Sequence, residues 1–190
     1  MQSLGHGHGL GGDRCSAGHV LDTRDTAHDG EGLIKSIAGL IGRARGAGVP
    51  VFFVQHDEGP EGEFHPGKPG FPFHERLAPL PSDCVTVKQN SSAFTGTDFD
   101  LKLRRAGIDH PVITGMQSEY CVDAAIRGAA ERGYRLTLVA DAHSTFDSPD
   151  AKAERIIAFP LRQARPGGGG GVLGLRAVWT FRQSSSIVPL

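Results

Sequence analysis

A chain of 190 residues, 38% apolar and 22% charged, is long enough to bury one sizeable core, and a formal net charge of −1 gives no basic field for phosphate backbones or anionic membranes. No Lys/Arg run reads as a nucleic-acid tail and no apolar span is long enough to cross a bilayer, so neither nucleic acid nor membrane is an expected partner. Three cysteines, at 15, 84 and 121, make neither a CxxC pair nor an even disulfide framework, and with no signal peptide in view they are expected to be free thiols in a cytoplasmic protein.

Residues 1–18 (MQSLGHGHGLGGDRCSAG) are Gly/His-rich with almost no apolar periodicity and form an atypical N-terminal segment, poor in strand material. Residues 19–158 read as the folded domain. In EGLIKSIAGLIGRARGAG the apolar residues fall at 33, 34, 37, 40 and 41, which is helical spacing, and Gly48 closes the helix before the strand VPVFFVQH. The same rhythm recurs in DFDLKLRRAGIDH followed by PVITG, and in EYCVDAAIRGAAERGY followed by RLTLVADAH. Strand runs that are apolar on both faces, each fed by a helix, predict an α/β three-layer fold with a mostly parallel sheet. In SPDAKAERIIA, Ser148 is the expected N-cap and Pro149 the first helical residue, and Phe159-Pro160 is the expected stop. Residues 159–190 form a divergent C-terminal segment, with ARPGGGGG as a flexible linker.

Candidate chemistry gathers at one edge. In open parallel sheets, ligands sit outside the carboxyl ends of the strands. Cys121 lies there, just past PVITG, where helix N-terminal N–H groups and the helix dipole favour a thiolate. The alternative is a small buried residue on a helix face. Lys88 closes the strand CVTVK on the same edge, either as a solvated lysine or as a cation that stabilises a thiolate and moves protons. Asp141, after LTLVA, is assigned a structural role in closing a loop or capping a helix. The loop 59–74 carries Phe64, Phe71, Phe73 and His74, so it is a candidate pocket wall or a core-covering loop. Phe94 and Tyr120 flank the motif residues and either stack on a flat substrate or fill space. His56, Asp57 and His65 in HDEGPEGEFHPG are not in the order expected of a metal site, and no metal is assigned.

The succession VPVFFVQHDE, VTVKQNSSAFTGTDFD, VITGMQSEYCVDAAIRGAAERGY and LVADAHSTFDSP, over roughly residues 28–158, resembles the isochorismatase-like cysteine hydrolases. The resemblance implies a doubly wound sheet and hydrolysis of a C–N bond in a small amide or carbamoyl compound, with no cofactor. It matches Cys121 to the nucleophile and Lys88 to the catalytic lysine. It also matches Met116-Gln117 to a non-proline cis peptide, and the N–H groups of Gln117 and Cys121 to an oxyanion hole. The third member, an Asp at the end of a first strand, falls by spacing on Asp13 in GGDRCSAGH, with Asp22 in HVLD as the reserve. Recognisable pattern starts and stops abruptly at both ends, as a shift of reading frame in the gene would produce. A family member without the Asp is expected to be a binding or interaction protein. An isochorismatase proper is a variant of the hydrolase reading, and self-association is expected under either.

Overall fold

The structure is a computed structural model and describes residues 27–163 and 185–189. Helix α1 (Gly30–Gly46) starts at Asp29, whose carboxylate accepts from the Gly32 N–H at 3.2 Å, and it buries Leu33, Ile34, Ile37, Leu40, Ile41 and Ala44 along one stripe. Strands β1 (Phe52–His56) and β2 (Cys84–Lys88) pair in parallel, with Phe52 opposite Cys84 and His56 opposite Lys88. Helix α2 (Phe99–Arg105) leads to β3 (His110–Met116), and α3 (Asp123–Glu131) leads to β4 (Thr137–Ser144), which pairs in parallel with β3.

These three helices end in the same way. Gly48, Gly107 and Gly133 take positive φ, and the residue after each, Val49, Ile108 or Tyr134, donates its N–H back to a carbonyl five residues earlier. Each apolar follower then turns the chain into the sheet, so helix stop and strand start are one local signal.

Two side-chain clusters cover the two faces. Phe52, Val54, Phe94, Phe99, Leu103, Ile113, Ile126 and Leu138 pack under α2 and α3. Phe53, Met116 and Ala142 pack under α1 with Ile34, Ile37 and Ile41. Adjacent residues of β1 thus face opposite layers, as the strand period requires. Helix α3 comes close to the loop after β2: a Cβ on Gly128 would lie 2.7 Å from Phe94 Cδ2 and 3.0 Å from Ser92 Oγ. Gly128→Ala, which stabilises an ordinary helix by up to about 1 kcal/mol, is therefore expected to destabilise this one by roughly 1–3 kcal/mol. A urea midpoint at or above that of the parent chain would show that the close approach is absent.

The structure differs from the sequence reading in three places. Helix α4 (Ala153–Gln163) begins five residues later than Ser148 and runs past Pro160. Ser148 instead closes a local turn, its Oγ accepting from Ala151 N–H at 3.0 Å, and Asp147 accepts from the Ala153 N–H at 2.9 Å. Asp141 does not follow β4 but lies within it, because the register with β3 shifts between Ile113 and Gly115 and lets the strand run on to Ser144. Finally, β5 (Ser185–Pro189), in the divergent C-terminal segment where no strand is expected from sequence, pairs in parallel with the edge of β3 away from β4, Pro189 opposite Thr114.

Candidate functional site

The carboxyl ends of β2 and β3 bring Lys88 and Cys121 together. Lys88 is the last residue of β2, and a side chain of that length reaches over the strand end. Its Nζ donates to the Asn90 carbonyl oxygen at 2.9 Å and to Cys121 Sγ at 3.2 Å. Lys88 is 2% exposed and Cys121 is fully buried. A buried ammonium is costly unless it is paired, and a buried thiol beside it gains from becoming thiolate, so each group supplies what the other's burial demands. Lys88 is therefore not a solvated lysine, and Cys121 has a charged neighbour in place of a purely apolar one.

Cys121 sits in the π-type turn Ser118–Val122, between β3 and α3. The Met116–Gln117 peptide at the head of this turn is cis, and the Gln117 carbonyl accepts from the N–H groups of Tyr120 and Val122, both at 3.1 Å. The turn is tied to β4 and the residue after it. Ser118 Oγ lies 2.8 Å from His143 Nδ1 and 3.0 Å from the Ser144 carbonyl oxygen, while Thr145 Oγ1 donates to Glu119 Oε1 at 2.8 Å. None of these tie residues was singled out by sequence. The signal was present in LVADAHS, where a histidine and a serine end a strand, but only the register shift shows that they reach the turn.

Asp13 and Asp22 lie outside the described residues. The aromatic candidates divide. Phe94 is buried against Phe99, with ring centroids 5.1 Å apart, and lies under the Arg132 guanidinium; Phe73 meets Phe53 edge to face at 5.4 Å. Phe94 is packed as core, and Phe73, half-buried, packs against the core. Phe64 is buried in the loop after β1, its N–H near Glu58 Oε2, and Tyr120 is half-buried on the same turn as Cys121. In the same loop, His65 Nδ1 lies 2.7 Å from Asp57 Oδ1, and this bond holds the Asp57 carboxyl below its usual range. The Asp57 N–H donates to the Lys88 carbonyl, fastening the loop to the site. Among the described residues no group of three His, Cys, Asp or Glu side chains stands close enough to hold a metal ion.

Burial pushes the His143 pKa down to about 4, the Asp141 charge opposing it only in part. The unfolded chain takes up a proton on this histidine near pH 6.5 and the folded chain does so only near 4. Its contribution to stability is therefore complete above about pH 6.5 and is lost as pH falls towards 4, by an amount of order 3 kcal/mol. Urea midpoints at pH 7 and pH 4.5 measure it. His110, also held down by burial, shifts stability in the same direction, so the comparison needs His143→Asn, in which the acid loss should shrink; an equal loss in both chains would assign it elsewhere.

The chain is 39% identical over 117 residues to the isochorismatase family protein YddQ of Bacillus subtilis, a match that covers 60% of this chain and 65% of that one. It is 38% identical over 113 residues to a streptothricin hydrolase of Streptomyces noursei, covering 60% of this chain and 41% of that one. The match thus spans less than two thirds of the length of these curated relatives. Among solved structures, the N-carbamoylsarcosine amidase of Thermoplasma acidophilum superposes with a TM-score of 0.56 at 28% identity, over 63% of this chain and 74% of that one. The isochorismatase domain model matches residues 16–159, the stretch that holds β1 to β4, Lys88 and Cys121, and the chain belongs to the isochorismatase family.

Proposed function

We propose that the protein hydrolyses a C–N bond, amide or carbamoyl, in a small molecule, with Cys121 as nucleophile, Lys88 as the proton carrier and Asp13 as the carboxylate partner. The observation that carries this reading is the 3.2 Å contact between Lys88 Nζ and Cys121 Sγ, both buried at the carboxyl ends of β2 and β3. Relatives whose names mark them as a hydrolase and an amidase support the reaction class.

The steps balance on these two groups. The Cys121 thiolate adds to the carbonyl carbon, and the resulting oxyanion is received by the backbone N–H groups of Gln117 and Cys121. As the C–N bond breaks, the Lys88 ammonium gives its proton to the departing nitrogen, leaving a thioester on Cys121 and a neutral lysine. Water then adds to the thioester, its proton returning to Lys88, and the carboxylic or carbamic acid leaves with the thiolate restored. Tyr120, half-buried on the same turn, and Phe64 are assigned to the substrate wall. The free thiols at positions 84 and 121 fit a reducing, cytoplasmic setting, and self-association is expected with the family.

The test is a panel of small amides, ureides and carbamoyl compounds incubated with the full chain. Acid quenching and peptide mass spectrometry then look for an acyl group on the Cys121 peptide. An acyl adduct that forms and decays with product release supports the reading. Turnover with no adduct at Cys121, or binding of panel members without turnover, overturns it in favour of another nucleophile or a binding role.

A further inference from the structure

The bond between Ser118 and His143 carries an inference about how the catalytic turn is held. The Ser144 carbonyl oxygen can only accept, and a serine hydroxyl has a single hydrogen. Ser118 Oγ–H therefore goes to Ser144 at 3.0 Å, and the Oγ lone pair receives His143 Nδ1–H at 2.8 Å. This order fixes His143 as the neutral Nδ1–H tautomer. Its other nitrogen, Nε2, is buried with no hydrogen-bond partner among the described residues. An imidazole that is 3% exposed and has one nitrogen without a partner among the described residues is a poor packing residue, since an apolar side chain would fill the same space without that cost. What the histidine supplies is the Nδ1–H. The chain of bonds does not stop at Ser144, whose Oγ donates to the His28 carbonyl at 2.6 Å, just ahead of α1.

We propose that His143 is a positioning residue: through Ser118 it locks the turn at residues 117–122 against the end of β4, and so sets where the N–H groups of Gln117 and Cys121 point. His143 touches neither Cys121 nor Lys88 through any of these bonds, so its effect on chemistry passes through Ser118. The proposal rests on the hydrolase reading above for its catalytic consequence, and on geometry alone for the tie itself.

Four variants separate the possibilities. His143→Asn keeps an N–H donor near the place of Nδ1, whereas His143→Gln moves it to the place of Nε2, and His143→Ala and Ser118→Ala remove the bond from either side. The two alanine variants are expected to lower kcat by about a hundredfold, as a catalytic group displaced by about an ångström does, with KM changed only a few-fold. Combined, they should be no worse than either alone, because they break one interaction. His143→Asn is expected to recover kcat to within about tenfold of the parent, and His143→Gln not to recover it. Amide hydrogen exchange across residues 117–122 should quicken in both alanine variants and return towards the parent rate in His143→Asn. Equal losses in His143→Asn and His143→Ala, or additive losses in the double variant, overturn the proposal. Should His143→Ala fail to fold, Ser118→Ala, which removes only a hydroxyl, carries both readouts. A parent chain that turns over no amide removes the hydrolase reading on its own account. Exchange then still decides the tie: faster exchange in Ser118→Ala supports it, and unchanged exchange overturns it.

Discussion

Cys121→Ala is expected to abolish turnover and leave the fold standing. The thiolate is the group that makes and breaks bonds in both halves of the proposed reaction, and alanine offers nothing that can replace it. Loss of a nucleophile of this kind lowers kcat by about 10⁴- to 10⁶-fold. The structural loss is small by comparison. Cys121 is fully buried at the end of a turn whose shape is fixed by Ser118, Glu119 and the Gln117 carbonyl, none of which uses the sulfur. Removing one buried heavy atom costs about 1 kcal/mol, and taking the sulfur from beside the buried ammonium adds up to about 3–5 kcal/mol, offset in part by the bond that Lys88 keeps to the Asn90 carbonyl. The checks are product formation on whichever panel compound the parent chain cleaves fastest, and a urea midpoint for the fold. Activity within tenfold of the parent would remove Cys121 from the reaction, whereas an unfolded variant would show that the sulfur is part of the core.

The sequence made the fold legible where local signals agree. In the stretch from Leu33 to Phe53, apolar spacing, a glycine at the helix end and an apolar run all call for a helix that feeds a buried strand, and the structure places α1 and β1 there. It was less legible where the outcome depends on a distant partner. Asp141 reads as a strand end because an acid follows LTLVA, yet the register shift opposite Gly115 keeps it within β4, where it accepts from Ser36 Oγ at 3.3 Å. Ser148-Pro149 reads as a helix start, but the Asp147 carboxylate caps the chain at Ala153 instead.

The candidate site divides in a similar way. Lys88 and Cys121 each end or follow a strand, so topology alone carries them to one edge, even though 33 positions separate them. His143 and Thr145 act through hydrogen bonds to Ser118 and Glu119 on another element, and no spacing within either segment encodes that meeting. Aromatic residues are harder still: Phe94 lies close to the lysine in sequence, but its ring belongs to the core with Phe99 and Tyr134.

Lys88→Met is expected to slow alkylation of Cys121 and to suppress hydrolysis more strongly still. Methionine fills much of the volume of the lysine stem and leaves the packing at this buried position close to that of the parent, so the change tests charge more than shape. With the ammonium 3.2 Å from the sulfur removed, two effects act in the same direction. The thiolate loses its counter-charge, and burial then favours the neutral thiol without opposition. The pH profile of iodoacetamide labelling at Cys121 should therefore move upward, each unit of displacement lowering the thiolate fraction near pH 7 by about tenfold. Hydrolysis loses this factor and the proton transfer to the departing nitrogen as well, a step worth about 10²- to 10⁴-fold. Lys88→Arg separates the two contributions. A guanidinium retains the charge beside the sulfur but does not release a proton at neutral pH, so labelling should stay closer to the parent while hydrolysis is lost. Peptide mass spectrometry after timed labelling distinguishes Cys121 from Cys84, whose thiol is pushed up by burial and serves as an internal reference. If Lys88→Met leaves the Cys121 profile unchanged, the lysine does not activate the thiolate. If Lys88→Arg hydrolyses amides at the parent rate, it does not carry the proton.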